Sequence, residues 1–138
     1  MREEAVPVKK SFNKLLTENC VAIPTNGYYE WATEEFTGNK NKYRFYEKGE
    51  DTLYIAGLYR TFYNRGWSIR ERFIILTTKA NTSAKTYHDR MPVLLKKDEI
   101  ADWVSGRDPM AYLSREPFAV ESELTIADTG EMNTVNSL

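Results

Sequence analysis

The sequence contains one cysteine, Cys20, and one histidine, His88, among its 138 residues. A single cysteine cannot form an intramolecular disulfide, and these two residues lack the ligand spacing of a zinc site. We therefore expect no metal and no cofactor. The longest apolar runs, such as 73–76 (FIIL), are too short to span a membrane, and residues 1–7 show no apolar stretch of a secretory signal. These features predict a cytoplasmic protein.

An excess of positive charge is also missing. Lys and Arg number 19 against 20 Asp and Glu, a net charge of -1, so the bulk basic composition of many nucleic-acid-binding domains is absent. A local basic groove is still compatible with this balance, because net charge says nothing about its distribution. The seven glycines are scattered, so no Gly-rich phosphate loop is present. A nucleophile-elbow motif is lacking as well, which argues against a Ser-His-Asp hydrolase.

Aromatic residues, in contrast, are plentiful, at 13% of a sequence that is 41% hydrophobic, and this favours β-structure around one core. Predicted helices cover 11–16, 81–87 and 97–105, with a helical turn at 109–113. Asn81 is the expected N-cap of the second helix, and Gly106 is expected to end the third. Predicted strands cover 20–24, 28–33, 43–47, 52–63, 68–78, 91–95 and 118–126. Asn26-Gly27 predicts a turn before the second of these, and the continuously apolar second half of 68–78 is expected to be buried on both faces. The pattern predicts a single compact α+β domain over residues 1–138, mostly β, with antiparallel or mixed strands and a few short helices.

Two short motifs stand out, 24–31 (PTNGYYEW) and 88–92 (HDRMP). They supply a carboxylate, Glu30, and the imidazole of His88, and such a pair can act as general acid and base if the two lie within hydrogen-bond reach. Asp89 is a candidate to orient the imidazole. The alternative is a solvated glutamate on a sheet face and a structural histidine, which is the more common situation for each residue type taken alone.

Side chains around the first motif should alternate between two faces of a strand. Tyr28 and Glu30 are expected on one face, and Tyr29 and Trp31 on the other. Trp31 and Arg90 have the chemistry to hold a base and a phosphate.

Aromatic residues also adjoin basic ones elsewhere, in 42–46 (KYRFY) and at Trp67 with Arg65 and Arg70. Such pairs bind single strands by stacking bases on rings and tracking the backbone with cations. An ordinary cross-strand aromatic ladder is the competing interpretation.

The two motifs, taken with two further segments, resemble the SRAP (SOS response-associated peptidase) family. The resemblance rests on 20–31 (CVAIPTNGYYEW), 55–59 (IAGLY), 74–81 (IILTTKAN) and 88–95 (HDRMPVLL), which occur in order at compatible spacing. It extends from about residue 2 to residue 103 and weakens beyond. Four ordered motifs make this a specific match.

The resemblance implies a barrel-like sheet and a role in DNA damage. Family members bind single-stranded DNA at abasic sites, and an N-terminal cysteine closes a thiazolidine on the lesion aldehyde, giving a stable DNA–protein crosslink. A glutamate and a histidine assist the imine and ring-opening steps, as proton transfer requires. A related self-cleavage or crosslink-reversal activity accounts for the peptidase name. Such a protein would be nucleoid-associated when bound to DNA.

Carried over motif by motif, the resemblance implies catalytic roles for Glu30 and His88. It implies DNA contacts for Arg2, Trp31, Thr77 and Arg90, with Trp31 stacking on a base, the arginines on phosphates and Thr77 near the sugar.

The chain departs from the family pattern at its beginning. The family's opening Met-Cys-Gly-Arg and its orienting asparagine have no counterpart, and Cys20 matches a non-catalytic family cysteine. Covalent activity is therefore doubtful. The chain is interpreted either as a fragment or truncated gene product, or as a degenerate member that keeps the groove without the covalent step. Either interpretation predicts marginal stability, or a partner chain that covers the face left open.

Two other functions compete with this one. The first is a non-catalytic β-rich interaction domain whose exposed aromatic residues bind protein. The second, a peptidase that acts on other proteins, lacks a visible nucleophilic triad.

Overall fold

The structure is a computed structural model that describes residues 10–64 and 68–126, with side chains over 12–61 and 71–126. The predicted DNA contact Arg2, and the predicted pair Arg65 and Trp67, lie outside the described residues. Helices are α1 (Lys10–Glu18), α2 (Thr82–Lys85), α3 (Ile100–Ser105) and α4 (Pro109–Leu113), with a 3-10 turn at Lys97–Glu99. Strands are β1 (Cys20–Thr25), β2 (Tyr28–Thr33), β3 (Lys40–Tyr46), β4 (Leu53–Asn64), β5 (Ser68–Ile75), β6 (Thr77–Lys79), β7 (Arg90–Pro92), β8 (Leu94–Leu95) and β9 (Glu121–Ile126).

Strands account for 44% of the structure and the helices are short, so the predicted fold class is confirmed. The described strands form three antiparallel sheets. The first has the order β1-β4-β5, with β8 also paired to β4; the second has the order β2-β3-β9; the third is β6-β7. These sheets do not close into a barrel.

The buried side chains form two clusters, one on each face of β4. One cluster joins the first sheet to the helices and contains Phe12, Leu16, Cys20, Ala56, Leu58, Leu76, Val93, Leu95, Trp103, Tyr112 and Leu113. The other joins it to the second sheet and contains Tyr28, Phe45, Leu53, Ile55, Ala80, Ala84, Met91, Leu94 and Val120. Successive residues of a strand point to opposite faces, so Ile55 and Ala56 enter different clusters. The first sheet is thus a layer between α1, α3 and α4 on one side and the second sheet on the other.

The helix predicted over 97–105 is divided into a 3-10 turn followed by α3. The division follows a capping contact, in which the Glu99 carboxylate accepts a hydrogen bond from the Lys96 backbone N–H at 2.7 Å. Gly106 ends α3 with φ +71°, as the sequence predicted. A Cβ at Gly106 would overlap the Thr17 carbonyl oxygen, so this glycine also allows α1 and α3 to pack closely.

The strand predicted over 68–78 is wrong in two respects. It is interrupted at Leu76, which separates β5 from β6. Its apolar half is also not buried on both faces: Ile74 and Leu76 pack inward, but Phe73 is 65% exposed and Ile75 46% exposed. Among the described strands β5 pairs with β4 alone, so it is an edge strand of its sheet. None of the described helices is long and apolar enough to cross a membrane.

Candidate functional site

The β2–β3 hairpin presents the first motif, and a tight turn fixes its register. Gly27 has φ +146°, and a Cβ there would come within 2.6 Å of the Phe45 carbonyl oxygen, so the turn requires glycine. Tyr28 then lies opposite Phe45, and the two rings stack at 5.0 Å. Two residues further on, Glu30 lies on the same inward side, while Trp31 is 48% exposed on the outward side. The predicted alternation is confirmed.

The Glu30 carboxylate is half-buried and has no hydrogen-bond partner among the described residues. Two causes raise the pKa of the Tyr28 phenol. Burial is the larger, and the negative charge of the nearby Glu30 carboxylate is the smaller. The Tyr28 hydroxyl is buried and makes no hydrogen bond within the described ranges. The inward side of β2 therefore presents two polar groups, a carboxylate and a phenol, whose hydrogen-bonding capacity is unused by these parts of the chain.

The second motif is held in place by Asn81, the predicted N-cap of α2. The Asn81 side-chain oxygen accepts from the Ser83 backbone N–H at 3.1 Å and from the Ser83 hydroxyl at 2.6 Å. Its amide nitrogen donates to the carbonyl oxygens of Pro117 and Phe118, each at 2.9 Å. One buried side chain thus connects the start of α2 to the segment before β9. This arrangement fixes the loop from α2 to β7, which carries His88.

The His88 ring is oriented mainly by backbone. Its Nδ1 lies 3.1 Å from the Arg90 backbone nitrogen. The Arg90 carbonyl oxygen lies 3.2 Å from the same Nδ1, so the tautomer of the ring decides which of these two backbone groups it bonds. The carboxylate of Asp89, the candidate orienting group, lies 3.4 Å from Nδ1 and is 90% exposed, so the backbone contact is the shorter one. Nε2 makes no hydrogen bond to the described residues, so it is the ring atom that can contact a bound group.

Arg90 and Thr77 lie side by side across the β6–β7 pair. Arg90 Nη2 donates to the Thr77 carbonyl oxygen at 2.9 Å and lies 3.3 Å from the Thr77 hydroxyl. Two of the four residues with implied DNA contacts therefore meet in one patch. The two residues are far apart in sequence, and the antiparallel pairing of β6 with β7, in which Thr77 lies opposite Pro92, brings them together.

Aromatic contacts connect the two motifs. Glu30 is paired across the hairpin with Tyr43, and the Tyr43 ring contacts the Tyr87 ring at 4.6 Å. Tyr87 also contacts Phe45 at 5.1 Å and immediately precedes His88. The inward side of β2–β3 is thereby packed against the loop that carries the histidine. Glu30 and His88 belong to one region of the fold, and their acid/base roles stay predictions.

Alternate residues of the run at 42–46 point to opposite faces of β3. Tyr43 and Phe45 point inward and form the aromatic packing just described, which is the cross-strand interpretation of that segment. Lys42 and Arg44 point outward, together with Tyr29 and Trp31. The sequence did not predict that these four outward side chains share one face, because the register that sets Lys42 opposite Trp31 cannot be read from it.

Cys20 is a core residue and not a nucleophile. It is 4% exposed, its thiol donates to the Leu16 carbonyl oxygen at 2.8 Å, and burial raises the pKa of the thiol to about 11. A buried, protonated thiol is inert, since the thiolate is the reactive form. Across residues 10–64 and 68–126, no group of three His, Cys, Asp or Glu side chains is arranged to hold a metal ion.

We expect the native chain to react with a thiol reagent at pH 8 at least about a hundred-fold more slowly than an exposed cysteine of ordinary pKa. The rate should rise about tenfold per pH unit from pH 8 to pH 10, because the thiolate fraction grows tenfold per unit below the pKa. Mass spectrometry after timed alkylation measures both rates. The same chain in denaturant is the control and should react completely; rapid native labelling at pH 8 would show that Cys20 is accessible.

The family model described as SOS response associated peptidase (SRAP) matches residues 1–129. Abasic site processing protein YoaM of Bacillus subtilis is 30% identical over 112 residues, covering 78% of this chain and 47% of the relative. Abasic site processing protein YedK of Escherichia coli is 24% identical over 111 residues, covering 78% of this chain and 49% of the relative. The chain thus spans about half the length of these curated relatives.

Solved structures share the fold. A protein from Bacteroides thetaiotaomicron has a TM-score of 0.78 at 25% identity, covering 89% of this chain and 56% of that one. A protein from Bordetella bronchiseptica has a TM-score of 0.77 at 22% identity, covering 90% of this chain and 63% of that one.

Proposed function

The chain belongs to the SOS response associated peptidase (SRAP) family, and we propose that it binds single-stranded DNA at abasic sites without forming a covalent bond through Cys20. The observation that carries this proposal is the patch formed by Arg90, Thr77 and His88, beside Tyr87, whose ring packs against Tyr43 and Phe45 of β3. Relatives described as abasic site processing proteins support DNA as the ligand.

The chemistry of the patch suits a backbone sugar that has lost its base. The Arg90 guanidinium supplies positive charge for a flanking phosphate, and Thr77 adds a hydroxyl beside it. The His88 Nε2 can form a hydrogen bond with the ring oxygen or a hydroxyl of the deoxyribose. Glu30 is a carboxylate that can accept a proton from an amine or hydroxyl near the same sugar. In this assignment Arg90 and Trp31 supply affinity, whereas Glu30 and His88 act on the lesion.

The roles can be separated by substitution. We expect Arg90→Ala to weaken binding to an abasic oligonucleotide about tenfold and to flatten its salt dependence by about 0.7 in the slope of log affinity against log salt, as the loss of one phosphate contact predicts. Trp31→Ala should also weaken binding, because base-on-ring stacking contributes ~1–3 kcal/mol. Glu30→Gln and His88→Ala should leave binding nearly unchanged. Fluorescence anisotropy of a labelled strand, titrated at several salt concentrations, gives these values.

The same samples on a denaturing gel report on covalent chemistry. We expect no heat-stable shifted band with the abasic strand, since Cys20 is buried. Equal loss of binding in all four variants would contradict the division of roles. Absence of binding by the unsubstituted chain would contradict the proposed function itself. A heat-stable band would show that another nucleophile, a lysine or the N-terminal amine, reacts with the lesion.

A second candidate function rests on the edge strand β5. Phe73 and Ile75 expose apolar surface on a strand whose outer edge is unpaired within the described ranges, and such an edge is suited to pairing with another chain. We propose that a polypeptide partner covers this edge. Salt separates the two kinds of binding: affinity for DNA falls steeply with salt, whereas affinity for an apolar partner does not. Light scattering of the purified chain tests whether a second copy is that partner.

A further inference from the structure

A cavity of about 270 Å³ lies between the far end of the β2–β3 hairpin and the end of α2. It is lined by the tyrosines Tyr43 and Tyr87 and by the glutamates Glu34 and Glu35, together with small and polar residues of the same elements. None of the site residues predicted from the sequence lines it, so the cavity is separate from the patch proposed to hold the lesion. We call it the hairpin-end pocket.

Two tyrosine rings that meet at an angle contribute the aromatic part of this pocket. The Tyr43 and Tyr87 ring centroids lie 4.6 Å apart, with 60° between the ring planes. Tyr87 is held further by an edge contact with Phe45 at 5.1 Å, and its hydroxyl accepts a hydrogen bond from the Ser122 hydroxyl at 3.1 Å. Both tyrosines are half-buried, so the rings are fixed in place and still reachable from the cavity. Aromatic rings attract cations through the negative charge of their faces.

The hairpin loop adds two negative charges to the rings. The loop that carries Glu34 and Glu35 is held by two backbone hydrogen bonds: the Glu34 N–H donates to the Asn39 carbonyl oxygen at 2.7 Å, and the Gly38 N–H donates to the Glu34 carbonyl oxygen at 2.9 Å. Within residues 10–64 and 68–126, neither carboxylate lies at ion-pair distance from a lysine or an arginine. Both charges are therefore available to a bound cation.

The lysines of β3 point away from the pocket. Asn41 and Tyr43 lie on the inward side of the strand, so Lys40 and Lys42, which alternate with them, lie on the outward side. The described residues that line the cavity thus include two carboxylates and neither a lysine nor an arginine. Such a site repels phosphate groups, which argues against nucleic acid as its occupant.

We propose that the hairpin-end pocket binds an organic cation, an ammonium group on an alkyl stem. The stem packs on the tyrosine rings, and the ammonium is attracted both by the ring faces and by the two carboxylates. This site goes beyond the binding of DNA and does not depend on it.

The size and the donors of the pocket favour this class of ligand. A volume of about 270 Å³ is below the ~300–1,000 Å³ of sites for drug-sized ligands, so the pocket admits a side chain or a slim amine. A metal ion such as calcium fits less well, because it takes about six to eight oxygen ligands. In the part of the chain that the structure describes, no three acidic, histidine or cysteine side chains are grouped to supply them.

Titration of the isotope-labelled chain, followed by nuclear magnetic resonance, tests the proposal with three probes. Acetyl-lysine N-methylamide carries the charged stem, its Nε-trimethyl derivative keeps the charge without a hydrogen-bond donor, and its Nε-acetyl derivative is neutral. We expect the two charged probes to bind at about 1 mM, the affinity of ligands of this size at ordinary efficiency. The neutral probe should bind at least about tenfold more weakly, because it loses the attraction to the rings and to the carboxylates. The shifted amide signals should centre on Ala32 and Thr86, which line the cavity.

Spermidine, titrated in the same way, identifies the source of the cation. Binding tighter than that of the lysine derivative would assign the pocket to a free polyamine, and weaker binding would assign it to a lysine side chain of a protein. Equal affinity for the charged and the neutral lysine derivatives would overturn the proposal.

Substitutions separate the rings from the carboxylates. Tyr43→Leu should weaken binding of acetyl-lysine N-methylamide about 2- to 30-fold, the equivalent of one cation–ring contact, whereas Tyr43→Phe keeps the ring and should retain the affinity. The exposed pair Glu34→Gln and Glu35→Gln, combined, should weaken it about 2- to 30-fold, as the loss of two exposed ion pairs predicts. The glutamate variant decides the test even if Tyr43→Leu does not fold.

Matched controls lie on the outward face of the hairpin and on β9. Tyr29→Leu removes an exposed ring and Glu121→Gln an exposed carboxylate, and neither should change the affinity for the lysine derivative. Full affinity in Tyr43→Leu and in the glutamate variant, or amide shifts centred away from the cavity, would overturn the pocket. Loss of amine binding with abasic DNA still bound would contradict this inference alone, and the reverse result would contradict the proposed function alone.

Discussion

An Asn81→Ala variant should be less stable than the unsubstituted chain by about 3 kcal/mol. The substitution removes the N-cap of α2, worth ~1 kcal/mol, and two hydrogen bonds to the carbonyl oxygens of Pro117 and Phe118, worth ~1 kcal/mol each. The site is buried, so water cannot replace the lost donors freely. Urea unfolding followed by circular dichroism measures the change as a shift in midpoint at constant slope.

Asn81→Ser divides this effect into its parts. Serine keeps an N-cap acceptor for the Ser83 N–H but cannot reach the two carbonyl oxygens, so it should cost about 2 kcal/mol. The loop that carries His88 follows α2 directly, and affinity for abasic DNA should fall in the same order, alanine below serine. Stability within about 0.5 kcal/mol of the unsubstituted chain, the range of a neutral surface change, would show that Asn81 does not hold the loop.

The second large effect is expected at Trp103, whose side chain is 1% exposed between α3 and β1. Its indole N–H donates to the Val21 carbonyl oxygen at 2.8 Å, and its ring meets Tyr112 edge to face at 5.8 Å. Trp103→Ala should cost about 3–5 kcal/mol, the range for deleting a buried aromatic side chain. That is a large part of the ~5–15 kcal/mol that stabilises a typical domain. Thermal and urea unfolding of the purified variants measure the loss.

Two further variants test the role of Trp103 in stability even if Trp103→Ala does not fold. Trp103→Phe keeps most of the apolar volume and removes the indole donor, so its cost should be clearly smaller than that of alanine. Val104→Ala changes the next residue of the same helix, which is 48% exposed, and should stay within about 0.5 kcal/mol. Equal losses for Trp103→Phe and Val104→Ala would show that the indole is not anchored as the structure places it.

Much of the local structure followed from the sequence. The bounds of β2 were predicted as they occur, with a turn at Asn26 and Gly27 before it and alternation that separates Glu30 from Trp31. The cap at Asn81 was predicted as well. Each of these features depends on residues within one turn or one strand, where backbone preferences and side-chain periodicity act directly.

Long-range pairing was not available from the sequence. It decides that Lys42 lies opposite Trp31 and that Arg90 reaches Thr77. A hydrophobic stretch likewise does not reveal whether another strand will cover it, which is why Phe73 and Ile75 were expected in the core and are exposed. The register of a strand and the identity of its neighbours depend on packing across the whole chain.

By itself, the sequence determined the family, the class of fold and the residue types that the site contains. Four ordered motifs were sufficient for the family, and apolar periodicity for the fold. Tertiary structure alone decided which of those residues meet. It joined the Glu30 strand to the His88 loop through Tyr43 and Tyr87, and it buried Cys20 in the core. The physical reason is that periodicity records which side of an element is apolar, whereas contacts between elements arise only when those apolar sides pack together.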